Sequence, residues 1–417
     1  MTDKKRILLL GISQSNFLSQ LYGQLIKNVP TISVDIDGYY DVSKGAVQFN
    51  SVFDQFYDFK KIKLGRIALY KAFFSFMLTP FFWEICYFEL SQRKKITTLF
   101  KILFSYAWTK TIVEKEVLPL KHSIYHFHFC TPENLKFLHF LPSHTITICS
   151  FWGSDLMRLT GVENVFYVRR ALLNAKTITI QNIELAEMMY CKYGRDLAAK
   201  TQIAQFTINT EIYDSIDACR EDKQSIDSFK KQHGIPTDKI VVGIGHNAFR
   251  ENNHLRIIKA IQKCPPNLRE QLVLILPLGY GRSADYLREL DHYITQQDEV
   301  QCVQLHSFFG PNETALLRLA TDLMIQMPIS DALSAAMTEV LYASNTVVVG
   351  AWLPYGILRR NQIQLLEAES FDELPVILET YYKNPRPTIA DTYPIKILAF
   401  LFPDTTTAQW IKIFETH

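Results

Sequence analysis

The chain has 417 residues, 48% hydrophobic and 21% charged, with a net charge of +2 at pH 7. That length is long for one domain and natural for two, and the near-neutral balance argues against a protein built to hold nucleic acid. Seven cysteines form neither a CxxC pair nor a metal-ligand spacing, so a disulfide framework or a metal site is disfavoured and reduced thiols fit a cytoplasmic chain.

In chain order, a polar start (Met1 to Arg6) runs into Ile7-Leu-Leu-Leu10. Four apolar residues are too few for a signal peptide and predict a first buried strand. Gly11-Ile-Ser-Gln-Ser-Asn16 then turns into a helix predicted over 17–27, with Leu18, Leu21, Leu25 and Ile26 at helical spacing. Strand, glycine turn and helix open a doubly wound α/β domain, whose ligands bind at the carboxyl ends of the strands. The turn has no GxGxxG, which disfavours a dinucleotide oxidoreductase.

Residues 60–121 carry twelve Lys/Arg against four acids, a local charge of +8, interleaved with aromatics such as Phe74, Phe76, Phe82, Trp83 and Tyr87. The apolar run 72–83 is broken by Pro80 and is too short to span a bilayer. Two readings stand side by side: an interfacial element seated among anionic headgroups, and core helices with solvated basic faces.

Further strands are predicted at 31–34, 123–129, 145–150 and 177–180, with helices over 165–174 and 183–193. In His126-Phe-His-Phe129 the two histidines share one face of a strand. With no third ligand nearby, they read as a substrate-facing His128 or as satisfied core histidines. Phe151-Trp-Gly-Ser-Asp155 follows a strand, which puts Asp155 where it can orient a hydroxyl, act as a base or close a turn.

The charged stretch 217–233 predicts a linker over 209–236, dividing a domain 1–208 from a domain 237–390. Residues 391–417, apolar-periodic around Leu398, Phe400, Trp410 and Ile413, form a closing segment expected to pack back on the first domain. In the second half, strands at 240–244, 272–276, 300–305, 323–325 and 346–350 alternate with helices at 253–264, 284–296 and 312–320.

The most telling segment is Asp331-Ala-Leu-Ser-Ala-Ala-Met-Thr-Glu339. Eight positions are slightly over two helical turns, so in a continuous helix both carboxylates lie roughly on one face, with Asp331 at or before the N-terminus. Small residues leave the first turn open; helix N-termini favour phosphate, and a carboxylate further in can accept from a ribose diol. Together these predict a nucleotide-sugar site.

On this acid–x7–acid motif, on Asn209-Thr-Glu-Ile-Tyr213 and on Gly243-Ile-Gly-His-Asn-Ala-Phe-Arg250, the whole chain resembles a GT-B glycosyltransferase, specifically the family-4-like bacterial polysaccharide transferases. It departs from their pattern at four points. Asp331 replaces the usual Glu, the hinge segment lacks its Gly, the customary Lys shortly after Arg250 is absent from 251–254, and Trp152 replaces the His of a His-Gly-Ser-Asp-like run. Gly-His-Asn with Leu276-Pro-Leu-Gly-Tyr-Gly281 is also similar to transferases that add an acetamidofucose to a lipid-linked glycan.

The resemblance implies an α/β protein of two Rossmann-like domains facing a cleft (GT-B). It implies a nucleotide diphosphate sugar as co-substrate, no cofactor and no metal. Arg250 would meet the diphosphate, with His254 standing in for the missing Lys and Asn247 in the same loop. Backbone at Ser334 would add a phosphate cradle, Ser307 with Phe308 and Phe309 would frame the base, Glu339 would bind the ribose, and Asp331 would face the donor sugar. A glycan acceptor, lipid-linked for capsule or O-antigen, would enter by Ser13, Gln14, Ser15, His128 and Asp155. Such an enzyme works in the cytoplasm, peripheral to the inner face of the membrane. The motif favours retention and the acetamidofucose likeness inversion with a base such as Asp155; the balance tips to retention. The departures also fit a non-catalytic GT-B subunit that binds glycan and stabilises a partner transferase. An epimerase or phosphorylase of this fold is a further alternative.

Overall fold

Apolar runs become buried parallel strands when helices cover both faces of a sheet, which is why they read as near-continuous Val, Ile and Leu. A computed structural model describes residues 5–12, 16–38, 52–281, 283–384 and 390–415. Its first sheet holds β1 (Lys5–Leu10), β2 (Ile32–Asp37), β3 (Phe56–Tyr57), β4 (Ile124–His128), β5 (Ile146–Ser150), β6 (Thr177–Ile180) and β7 (Thr201–Ile203). They lie in the order β3-β2-β1-β4-β5-β6-β7, all parallel. The second holds β8 (Ile240–Ile244), β9 (Leu272–Pro277), β10 (Gln301–Leu305), β11 (Leu323–Gln326), β12 (Thr346–Gly350) and β13 (Leu366–Ala368). Their order is β10-β9-β8-β11-β12-β13, again parallel.

The chain divides into two compact units, 1–206 with 407–417, and 207–406. Residues 209–236 lie in the second unit as the helices Thr210–Cys219 and Lys223–Gln232, which bury Tyr213, Ile216 and Phe229. Their charges sit on the outer faces, which accounts for the low hydrophobicity of the stretch. The helix Tyr393–Leu401 buries Tyr393, Ile397 and Leu401 in the second unit. Trp410, Ile413 and Phe414 join the core of the first unit, where the Trp410 indole donates to the Gln205 carbonyl at 2.7 Å.

Alternation along the second sheet decides where its ligands go. Leu323 and Ile325 of β11 face a core with Ile257, Ile258 and Ile261 of the helix His254–Ile261, which follows β8. Met324 faces the opposite core, with Met337, Val340 and Leu341 of the helix Ala335–Tyr342, which follows β11. Consecutive helices on opposite faces make β8/β11 a topological switch point, the place where open α/β sheets form a ligand crevice outside the carboxyl ends of their strands. In the first sheet the strand order reverses between β1 and β4.

Residues 66–112 form the helices Arg66–Met77, Pro80–Ser91 and Ile96–Ile112. Pro80 starts the second at a position where its missing N–H costs nothing. Phe76, Phe82, Ile85, Leu103 and Tyr106 make their shared core. Among the described residues no helix is long and apolar enough to cross a membrane.

Candidate functional site

The crevice at β8/β11 is walled by loops that meet through glycine. A Cβ on Gly279 would stand 2.4 Å from the Ser307 carbonyl oxygen, so the loops after β9 and β10 touch backbone to backbone. The loop after β8 is tied by asparagines. Asn247 Oδ1 accepts from the Phe249 amide (2.9 Å) and from Asn252 Nδ2 (2.7 Å). Asn253, at φ 59°, donates to the Met327 carbonyl at 2.9 Å, and the Ile329 amide donates to the Glu251 carbonyl at 2.9 Å. Asn247, expected at the donor, therefore shapes its own loop with its carboxamide oxygen.

The acid pair departs from the single-face expectation. The helix begins at Ala335, capped by Ser334 Oγ, which accepts from the Met337 amide at 3.3 Å. Asp331 lies in the loop before it, and its Oδ2 accepts the Tyr355 hydroxyl at 2.5 Å. Glu339 is 5% exposed and pairs with Arg318, Nε to Oε2 at 2.8 Å. Burial pushes its carboxyl up while Arg318 pulls it back. The Tyr280 hydroxyl, raised by burial, bonds Asn247 and feels the charges of Arg318, Glu339 and Asp331. Asn247 thus stands in the loop after β8, and Asp331 and Glu339 in the loop and helix after β11.

Arg250 and His254 belong to a different cluster. The exposed Arg250 guanidinium pairs with Glu289 at 2.5 Å and lies 4.6 Å from the centre of the Tyr286 ring. His254 is fully buried, with Nδ1 2.9 Å from the Tyr286 hydroxyl, and burial brings its pKa down to about 4. The imidazole is therefore neutral and is no substitute for a lysine. Ser307 is exposed. Phe308 is 61% exposed and 6.4 Å from the Tyr280 ring, whereas Phe309 packs on Phe229 and His233.

In the first unit the two histidines are core. His126 Nδ1 and His128 Nε2 both meet the Tyr22 hydroxyl, at 2.5 and 2.9 Å. His126 Nε2 meets Ser150 Oγ at 2.6 Å, which meets Thr179 Oγ1 at 2.5 Å. The Trp152 indole can only donate, and it donates to His128 Nδ1 at 3.3 Å. Burial holds both rings neutral, so the Trp152 N–H sets the direction of the bonds through the two imidazoles. Trp152 donates to His128, His128 to Tyr22, Tyr22 to His126 and His126 to Ser150, whose hydroxyl is also hydrogen-bonded to Thr179. His128 therefore has no ring nitrogen left for a substrate.

Asp155 is fully buried and accepts four backbone N–H groups, from Trp152, Gly153 and Leu156 on Oδ1 and from Cys130 on Oδ2. Burial pushes its carboxyl up to about 6 against those donors. It fastens the loop after β5 to the loop after β4. Ser13, Gln14 and Ser15 lie outside the described residues.

Sequence reasoning missed Arg318, Tyr355, Tyr280 and Tyr22. Arg318 carried a signal: a cation inside Ala315-Leu-Leu-Arg-Leu-Ala320 is a charge in an apolar run, and such a charge needs a buried partner.

No family model matches the chain, and no curated protein sequence matches it significantly. Solved structures resemble it over nearly its whole length. Anabaena Alr3699/HepE, crystallised with UDP and glucose, is 14% identical, with a TM-score of 0.68 over 99% of this chain and 100% of that one. A glycosyltransferase from Rickettsia africae is 10% identical, with a TM-score of 0.68 over 99% and 98%. A UDP-forming α,α-trehalose-phosphate synthase from Burkholderia xenovorans is 9% identical, with a TM-score of 0.65 over 99% of each chain. The fold is GT-B, as the sequence implied.

Proposed function

We propose that this chain is a glycosyltransferase that binds a nucleotide diphosphate sugar on its second unit and transfers the sugar to a glycan acceptor. The observation that carries the reading is the β8/β11 crevice, where Asp331, the Ser334-capped helix and the Arg318–Glu339 pair converge at a switch point. The likeness in fold to a protein crystallised with UDP and glucose supports it.

In this reading the amides of the first turn of the helix Ala335–Tyr342 face the diphosphate, where their dipoles favour the charge that develops on the leaving group. Arg250 reaches phosphate oxygens by exchanging Glu289 for them. Glu339, oriented by Arg318, accepts from the ribose, and Phe308 with Tyr280 stacks the base. Asp331, oriented by Tyr355, faces the donor sugar. His128 and Asp155 have their polar atoms engaged inside the first unit, so the proposal rests no base on them, and retention is the stereochemistry it favours. The acceptor is a lipid-linked glycan of a surface polysaccharide, met at the cytoplasmic membrane face. Support for the membrane side comes from the helices of 66–112, which expose Ile67, Tyr70, Phe74, Leu78, Trp83 and Tyr87.

The test is thermal unfolding against UDP-, GDP-, TDP- and CMP-sugars. One nucleotide class at a hundred times its Kd should stabilise the protein by about 2.7 kcal/mol. Glu339→Gln, which keeps the side-chain shape, should fold and lose that stabilisation. No response to any nucleotide sugar would reject the donor site. Binding without turnover towards any acceptor would favour a non-catalytic subunit.

A further inference from the structure

A second concave surface lies on the second unit, on the sheet face covered by the helix His254–Ile261. It is a cleft of about 540 Å³ whose walls include Asn253, Arg256, Lys259, Ile329, Trp352 and Phe371. That is within the roughly 300–1,000 Å³ of small-ligand sites. The helix Ala335–Tyr342 of the candidate donor site packs on the opposite face of the same sheet.

The floor of the cleft is an aromatic plate held in place from three sides. A Cβ on Gly350 would stand 2.5 Å from the Trp352 ring, so glycine at the end of β12 is what lets the indole fold back there. The indole N–H donates to the Pro328 carbonyl at 3.0 Å. Phe371 stands 5.9 Å from the indole, and the Arg256 guanidinium lies 4.3 Å from the Phe371 ring centre. Yet Trp352 stays 42% exposed. A ring so restrained, with its apolar surface left in water, is preorganised for the flat apolar side of a ligand.

The rim selects the rest of that ligand. Arg256, Lys259 and Lys263 supply donors, while Glu369 and Asp372 supply acceptors and Ser370 both. Lys263 and Asp372 neutralise each other at 2.6 Å. Three cations against two carboxylates match neither a polyanion nor a polycation, and so charged a wall does not suit an apolar peptide. A pyranose fits both parts, with an apolar C–H face for the indole and hydroxyls that each donate and accept. We propose that this cleft is a saccharide-binding site that holds a stretch of glycan chain on Trp352, with its hydroxyls shared between Arg256 and Glu369. The cleft shares Asn253 and Ile329 with the loops that wall the donor crevice. The loop 327–334 borders both, through Pro328 and Ile329 on one side and Asp331 on the other.

The five tryptophans allow a direct test on the full chain labelled with 5-fluorotryptophan, in which Trp352→Phe identifies one fluorine resonance. The probes are neutral hexasaccharides of glucose, N-acetylglucosamine, galactose and mannose. At least one should move the Trp352 resonance saturably, and Glu369→Gln, at an exposed position, should weaken that binding at least about fivefold without changing the melting temperature. The proposal is overturned if none of the four moves the resonance. It is equally overturned if inorganic pyrophosphate or a nucleotide sugar moves it and the hexasaccharides do not. A protein that ignores every nucleotide sugar but passes this test would lose the donor reading and keep this one.

Discussion

Tyr22 has one hydroxyl and serves two histidines, accepting from His128 and donating to His126. Tyr22→Phe keeps the ring and leaves an acceptor on His126 and a donor on His128 without partners. Buried groups left unpaired cost about 1–3 kcal/mol each, so urea unfolding should register a loss of about 2–6 kcal/mol. A variant as stable as the parent would mean that the hydroxyl bridges nothing. The residue scale is also where the sequence was least legible. The spacing of Asp331 and Glu339 was readable because it is local. Their partners Tyr355 and Arg318 are 24 and 21 positions away, and only the fold brings them near. His126 and His128 were readable as a pair on one face. That they point into a core and not towards a substrate depends on Tyr22, 104 positions before His126.

Elements were legible where one face pattern persisted for several residues. The Val/Ile/Leu runs of β1, β8, β9 and β12 announced themselves, whereas β3, with two residues, and β7, with three, are too short to carry a pattern. The helices of 66–112 resisted for another reason: large apolar residues occur on buried and exposed sides alike, so no stripe separates core from surface. Phe76 and Phe82 are buried, while Phe74 and Trp83 are each 60% exposed. Phe74 and Phe82 both contact Phe73, and Trp83 contacts Phe82, so the exposed rings adjoin a continuous cluster. Lys71, Lys95 and Lys101 of the same segment are exposed. Aromatic rings plus lysines are what an anionic bilayer surface attracts, at about 1 kcal/mol per cation near the surface. The protein should therefore co-sediment with vesicles containing phosphatidylglycerol and much less with pure phosphatidylcholine. The double variant Phe74→Ser, Trp83→Ser should weaken that binding by at least about tenfold at unchanged melting temperature. Equal binding to both vesicle types would remove the electrostatic part of the argument.

At the scale of the whole molecule, both units bury imidazole, and that sets the response to acid. His122, His126, His128 and His139 in the first unit and His254 in the second are all held below the ordinary histidine value of 6.5, chiefly by burial. His128 and His139 wait until about pH 3 to protonate in the fold, and His254 until about pH 4. An unfolded chain takes up those protons near pH 6.5, so acid draws the equilibrium towards it. The stability these groups provide is complete above pH 6.5 and is lost as the pH falls towards 3. Acids raised by burial work the other way: Glu339 and Asp322 as well as Asp37 and Asp155. Asp37 and Asp155 are raised from 3.8 to about 6, so each adds stability as the pH falls through that window. His128, His139 and His254 stay neutral in the fold through the whole fall from pH 6.5 to 4.5, whereas Asp37 and Asp155 add stability only once the pH is below about 6, so the histidines dominate. The melting temperature should fall steadily from pH 7 to pH 4.5. Replacing His128 with Gln, whose amide cannot take up a proton there, should flatten that slope, though at the cost of some stability at pH 7. Calorimetry across this range decides the matter. A melting temperature that holds or rises on acidification would mean that the buried carboxylates, and not the imidazoles, control the acid limb of stability.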